Sequence, residues 1–119
     1  MPITHAYKVA GNTIGLSVAN TSHAAVTITA ADPSANGLLC CNTSTAGMMY
    51  VNTASGQAPG ADPPTAAAAT IPGDGTAGSF PVISYNERVI AGVRFPLSVT
   101  AICSIAGPTL LTVTPVIIL

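Results

Sequence analysis

The chain has 119 residues, of which only 6% are charged, and its formal net charge is -1. This length fits one domain with one core, and three Lys and Arg in total are too few to bind a phosphate backbone, so we expect no nucleic-acid partner. No apolar run approaches the roughly 18 to 20 residues that a spanning helix needs, so we expect no membrane insertion.

The first half of the chain predicts short strands separated by turns. Thr, Val and Ile are frequent in these runs, and in several of them apolar and polar residues alternate. Asn-Thr sequences that begin at Asn20, Asn42 and Asn52 are interpreted as turns, because Asn tolerates a left-handed backbone. The first two also match the N-glycosylation pattern, but the turn interpretation is favoured. The predicted strands are 4–9, 13–18, 25–30, 38–42 and 48–52.

The strand pattern stops between residues 54 and 78. This segment is rich in Gly and Pro and contains the run Ala66 to Ala69. We predict one long Gly/Pro/Ala-rich loop without a helix. A loop of this length is unusual in a compact domain and is often functional.

The strand pattern then resumes and continues to the end of the chain. Tyr85 to Glu87 is predicted as a turn, and Pro115 is predicted to separate two strands. With turns about every 8 to 12 residues, the sequence predicts an all-β fold. We expect a single β-sandwich over residues 1–119, either a jelly roll or immunoglobulin-like, with 54–78 as its extended loop. The predicted strands are 79–84, 88–95, 97–104, 109–114 and 116–119.

The acidic residues do not form a recognisable catalytic or metal-binding pattern. Asp32, Asp62 and Asp74 all adjoin Pro or Gly and are interpreted as turn residues. His5 and His23 lie far from the cysteines and match no zinc spacing. We therefore expect no enzyme activity, no catalytic residues, no metal and no cofactor.

The three cysteines are interpreted mainly as buried free thiols. Cys40 and Cys41 are adjacent, so they should face opposite sides of a strand. A buried thiol behaves as a small apolar group. One disulfide from Cys103 to either of the pair remains the alternative.

The low charge suggests that other protein chains cover much of the surface. Arg88 and Arg94 should share a strand face by their even spacing, which fits either a solvent-exposed face or an interface. We also expect the 54–78 loop and the apolar tail to be buried mostly against other chains, in a homo-oligomer or multi-copy assembly. The candidate interface residues are Pro63, Pro64, Arg88, Arg94, Val116, Ile117, Ile118 and Leu119.

The stretch from Val99 to Pro115, and secondarily Asn42 to Val51, resembles small β-sandwich virion structural proteins of tailed bacteriophages. The resemblance implies a decoration or cement protein at the capsid surface, bound to the major capsid protein or other virion proteins. A receptor- or glycan-binding tail or fibre module is one alternative, although the chain has no Trp to act as a sugar platform. A shell or tail-tube subunit is another.

Overall fold

The computed structural model describes residues 6–58, 60–71 and 80–119, and these residues form nine strands and no helix. All strand pairs are antiparallel. The all-β prediction is therefore confirmed, and the Ala66 to Ala69 run is not helical. The strands are β1 (Tyr7–Val9), β2 (Ile14–Val18), β3 (Val26–Ile28), β4 (Gly37–Asn42), β5 (Met49–Ser55), β6 (Phe80–Val82), β7 (Asn86–Ala91), β8 (Leu97–Cys103) and β9 (Thr109–Ile118).

The strands make two sheets in a nested order. One sheet, the β9 sheet, has the order β1-β9-β4-β7, with β2 also paired to β9, and the other, the β8 sheet, has the order β3-β8-β5-β6. Thus β2 pairs with β9, β3 with β8, β4 with β7 and β5 with β6. This is a ribbon of nested pairs folded over itself, which is the jelly-roll arrangement of a β-sandwich. Of the two sandwich types expected, the strand order selects the jelly roll.

The core lies between the sheets and follows the alternation of each strand. In β2, Leu16 and Val18 are buried while Ser17 between them is exposed. In β4, Leu38 and Cys40 join the core cluster. Each large apolar side chain fully buried there contributes about 1.5 to 3 kcal/mol. The largest fully buried core side chains are Ile28, Leu38, Met49, Leu97 and Leu111.

Strand β9 runs without interruption through Pro115, so the prediction of two strands separated at this residue is wrong. The Pro115 carbonyl oxygen accepts a hydrogen bond from the Ala10 backbone N–H at 2.8 Å. The backbone nitrogen and oxygen of Pro115 therefore point toward the break between β1 and β2. No ladder bond is required from its nitrogen at that point. Proline is tolerated where its missing N–H faces such a gap.

The turn before β7 is shorter than predicted, because Asn86 and Glu87 already belong to the strand. They pair with Asn42 and Cys41 of β4. At the other end β7 stops at Ala91, and Gly92 follows with a φ of 74°. The predicted strand 88–95 is therefore too long.

The long loop is confirmed for residues 56–58 and 60–71, and part of it lies against the chain's own sheet. Ala54 and Ser55 belong to β5, and the turn predicted at Asn52 is wrong because this residue also lies in β5. Residues 65–70, which we call the strap, cross the outer face of the β8 sheet. The Ser98 hydroxyl accepts from the Ala66 N–H at 2.9 Å, and the Thr100 hydroxyl donates to the Ala67 carbonyl at 2.6 Å. Asn52 donates to the same carbonyl at 3.1 Å. These contacts explain why Ser98 and Thr100 are buried although they face away from the core, where Leu97, Val99, Ala101 and Cys103 lie.

Part of the strap is buried within the domain, while the expectation that the loop is buried mostly against other chains stays a prediction. Ala66 and Ala69 are buried within the domain itself, and the Ala69 N–H donates to the Ser22 hydroxyl at 3.0 Å. Pro63 is half-buried and Pro64 is exposed. Residue 59 and the loop's final residues, 72–78, lie outside the described residues.

We expect Thr100→Val to loosen the strap. Valine keeps the shape of threonine but loses the hydroxyl that donates to Ala67, at a cost of about 1 kcal/mol. Amide hydrogen exchange at Ala66 and Ala69 should accelerate while the β9 sheet keeps its protection. Thr27→Val, at an exposed position of β3, is the control. Unchanged exchange in the strap would contradict the role of this bond.

Candidate functional site: the outer face of the β9 sheet

The outward face of the β9 sheet divides into an apolar end and a polar end. In β4, Leu39 and Cys41 face away from the core because Leu38 and Cys40 face into it. The register extends this face to β1, β7 and β9. We define the apolar end by Tyr7, Val9, Leu39, Val89, Val116 and Ile118.

The apolar end contains no charged side chain. Val9 is 59% exposed and Tyr7 is 37% exposed, while Val89 and Ile118 are half-buried. Gly37 leaves room for the Ile118 side chain on this face, because a Cβ at position 37 would lie 2.9 Å from an Ile118 methyl group. Leu39 and Val116 are buried within the domain, so the accessible part of this end consists of Tyr7 and Val9 with the half-buried Val89 and Ile118. Contiguous exposed apolar surface is typical of protein contacts.

The tail forms part of this sheet through β9, while the expectation that it is buried mostly against other chains stays a prediction. Val116 is fully buried, and it pairs with Val9 on one side and Gly37 on the other. Ile117 and Ile118 are half-buried. Leu119 alone of the tail is largely open, at 80% exposure.

Arg88 and Arg94 do not share a strand face, because Arg94 lies beyond the end of β7. The Arg88 guanidinium lies 5.4 Å from the centre of the Phe80 ring and donates to the Pro81 carbonyl at 3.1 Å. This pairing joins the edge of the β9 sheet to β6 of the β8 sheet. A role in an interface is still a prediction for Arg88.

Arg94 binds the start of the long loop. Its guanidinium donates to the carbonyl oxygens of Gly56 at 3.3 Å and Gln57 at 3.0 Å. Its backbone N–H donates to the Ser55 hydroxyl at 3.0 Å. These bonds hold the loop where it leaves β5, and an interface role for Arg94 also stays a prediction.

The polar end of the same face is an open cleft of about 510 Å³. Tyr85 is 70% exposed at this cleft, and its φ is 55°. The sequence interpretation placed Tyr85 in a turn and missed the cleft. The available signal was an aromatic residue at a turn position where Asn or Gly would be easier to accommodate. The lining residues are Cys41, Asn42, Thr43, Tyr85, Asn86 and Glu87.

Asn42 shapes the floor of this cleft. Its side-chain N–H groups donate to the carbonyl oxygens of Gly47 at 2.9 Å and Val82 at 3.0 Å, and its amide oxygen accepts from the Ser44 N–H at 2.9 Å. The predicted Asn-Thr-Ser turn is therefore confirmed at this position. With the residue only 2% exposed, the side chain is committed to the fold.

The cysteines are free thiols, as the favoured interpretation predicted, and Cys40 and Cys41 face opposite ways. Burial, with a smaller effect of Cys41, raises the pKa of Cys40 from 9.0 to about 12. Burial and the neighbouring Glu87 carboxylate also raise the pKa of Cys41, against a hydrogen bond with Thr112 that lowers it. Both thiols are therefore protonated near neutral pH, which disfavours nucleophilic chemistry.

We expect the folded protein to react slowly with iodoacetamide at pH 8. A raised pKa reduces the thiolate fraction, so Cys41 should react more slowly than cysteine in an unfolded chain, and Cys40 should react only after unfolding. Tandem mass spectrometry of chymotryptic peptides can follow each site, because fragmentation between Cys40 and Cys41 locates the label, with the urea-unfolded protein as the control. Rapid labelling of Cys41 at neutral pH would show that its thiolate is stabilised rather than disfavoured.

The remaining candidates are structural where the structure describes them. The Asp32 carboxylate accepts from the Ser34 N–H at 2.8 Å, as a turn residue should. The Asp62 side chain is exposed, and His23 is half-buried with its ring Nδ1 2.7 Å from the Ala24 carbonyl oxygen. His5 and Asp74 lie outside the described residues.

Among the described residues, no group of three or more His, Cys, Asp or Glu could hold a metal ion. No helix in the same part of the chain is long and apolar enough to cross a membrane. The sheet face and its cleft are thus the two features of this surface that suggest binding. Protein-family models, curated proteins and solved structures were all compared with the chain, and none matches it.

Proposed function

We propose that the chain is a structural subunit of a protein assembly, specifically a decoration or cement protein at the capsid surface of a tailed bacteriophage. The apolar end of the β9 sheet carries the proposal. It presents Val9 and Tyr7 beside the half-buried Val89 and Ile118, with no charge among them. A partner that covers this surface would bury apolar area without desolvating a charged group.

The size of the surface favours binding in many copies. Covering roughly 300 Å² of apolar surface contributes about 7 kcal/mol at 25 cal/mol per Å². Association costs about 4 to 15 kcal/mol, so one such contact would be weak by itself. Repeated contacts around a symmetric shell would strengthen attachment through effective concentration. A multi-copy structural protein is consistent with this balance.

Three further observations support the same proposal. With 6% charged residues, the chain has little charge with which to keep an isolated surface soluble. The jelly roll is also an architecture used by viral capsid domains, although fold alone supports function only by analogy. The Val99 to Pro115 resemblance to phage virion proteins points in the same direction.

The proposal is tested by measuring how many copies of the chain purified particles carry. Particles are isolated from a culture that expresses the chain, and the copy number is measured by quantitative mass spectrometry. Val9→Asp places a charge in the apolar end and should reduce the copy number at least about tenfold, since burying an unpaired charge is costly. The matched control is Ile83→Asp, which changes an equally exposed apolar residue outside this face.

Circular dichroism should show that both variants fold. Full occupancy by Val9→Asp would contradict the assigned surface. Absence of the wild-type chain from every purified particle would contradict the structural role itself. Imaging of labelled chain then distinguishes the capsid surface from the tail.

A further inference from the structure

We propose that the polar cleft at the other end of this face is a binding site for neutral saccharides. The cleft lies where the turn between β6 and β7 meets the end of β4. Among the described residues, Tyr85 is the most exposed aromatic, at 70%, whereas Tyr7 and Phe80 are each 37% exposed. A sugar ring has an apolar face of C–H groups, and an exposed aromatic ring is the surface that such a face packs against.

The backbone of Tyr85 is fixed within the turn. Its φ of 55° lies in the left-handed region, which bulky residues rarely adopt. Its N–H donates to the Ser44 carbonyl at 2.8 Å, and this bond fixes the turn to the neighbouring loop. A large side chain on this backbone is less favourable than Asn or Gly would be. The turn alone therefore does not account for the tyrosine.

Hydrogen-bond donors and acceptors are both present around the Tyr85 ring. Within the described residues, the Tyr85 hydroxyl and the Asn86 side-chain NH₂ have no hydrogen-bond partner in the protein. The Glu87 carboxylate accepts only a long contact, 3.7 Å, from the Cys41 thiol, through one of its oxygens. Asn86 and Glu87 both line the cleft, from opposite sides of β7, so the amide can donate to one sugar hydroxyl and the carboxylate can accept from another. The cleft thus offers one apolar platform and a polar rim, as small-molecule sites do.

The charge of the cleft selects a neutral ligand. Glu87 is the charged residue among its lining residues. Arg88, the next residue, projects from the opposite side of β7 and is held over Phe80. An anionic sugar such as sialic acid would meet a carboxylate without a compensating cation. The open shape suits the terminal residue of a glycan chain better than an enclosed monosaccharide.

The test begins with the labelled full chain on an array of neutral and sialylated oligosaccharides. Neutral glycans should bind and sialylated forms of the same glycans should not. The strongest neutral glycan is then titrated by NMR, in which chemical shifts of Tyr85 and Asn86 should move. Tyr85→Asn should weaken binding at least about tenfold, while Tyr85→Phe should retain affinity within about threefold.

Two controls keep this result specific. Asparagine tolerates the left-handed backbone, so Tyr85→Asn should fold, and a thermal melt checks this. Glu87→Gln removes the charge and should reduce the discrimination against sialylated glycans. Tyr7→Ala alters an exposed tyrosine outside the cleft and should leave the affinity unchanged.

Several results would overturn the proposal. These are binding to no neutral glycan on the array, preference for sialylated glycans, or equal affinity of the wild type and Tyr85→Asn. Chemical-shift changes in the cleft caused by a basic peptide, with none caused by glycans, would assign the site to a protein ligand instead. Val9→Asp should retain glycan binding, so failure of the assembly role can be distinguished from failure of this site.

Discussion

A chain that lacks residues 116–119 is expected to lose a large part of its folding stability. This deletion removes the three β9 residues that pair with β1, so β1 would have no strand partner. It also removes Val116, whose complete burial contributes about 1.5 to 3 kcal/mol. With the lost backbone bonds, the total is about 4 kcal/mol or more, against the 5 to 15 kcal/mol by which domains are usually stable.

Urea unfolding followed by circular dichroism measures this loss. The matched control deletes only Leu119, which is 80% exposed and makes one backbone bond, to Ala6. That variant should lose less than about 1 kcal/mol. If the four-residue deletion unfolded at the same urea concentration as the wild type, the tail would be a separable docking segment after all.

Substituting Asn42 with Ala is expected to destabilise the domain by about 3 kcal/mol. Asn42 makes three hydrogen bonds while buried, and each contributes about 1 kcal/mol. The Val82 carbonyl would lose its side-chain donor, whereas the Gly47 carbonyl would still accept from Ser84 at 2.9 Å. The change therefore weakens the connection between the end of β4, the turn after it and β6.

The comparison for this variant is Asn86→Ala, which alters an exposed asparagine in the strand next to β4. It should change the free energy of unfolding by less than about 0.5 kcal/mol. The change in the free energy of unfolding of each variant is obtained from its urea midpoint, with the dependence of that free energy on urea concentration taken as unchanged. If Asn42→Ala and Asn86→Ala lowered the free energy of unfolding by similar amounts, the hydrogen bonds of Asn42 would contribute no more to stability than an exposed side-chain amide does.

The fold class could be predicted because each strand carries its own signal. Leu16 and Val18 alternate with polar or small residues, and the same period-two pattern marks β8 at Val99, Ala101 and Cys103. Such alternation shows which residues share a face, but it does not show what covers that face. Ser98 and Thr100 are polar like residues on a solvent-facing surface, yet both are buried under the strap.

Features that depend on distant partners were not predictable from local patterns. Proline normally interrupts a strand. Pro115 is accommodated in β9 because the neighbouring strands β1 and β2 are separated from each other at that point. Arg88 and Arg94 have the spacing of one strand face, but the strand ends at Ala91, before Arg94. The residues next to Pro115 and Arg94 in the sequence therefore do not indicate that β9 continues or that β7 ends.

The candidate site was predicted only in part. The low charge suggests protein contacts as a class of function, which stays a prediction, and it does not locate a surface, because the apolar end is assembled from four strands that are distant in sequence. The cleft depends on the unusual backbone of Tyr85, which no periodicity reports. Residue patterns identify the strands, whereas the sites arise from how the strands are brought together.

The break opposite Pro115 also bears on aggregation of the free subunit. It divides one border of the β9 sheet into strands of three and five residues, and the borders of the β8 sheet are three residues each. The six-residue border strand β7 carries Glu87 and Arg88. Short or charged borders are poor templates for edge-to-edge growth. The borders of both sheets therefore disfavour extension of the sheets from one molecule of this weakly charged chain into the next.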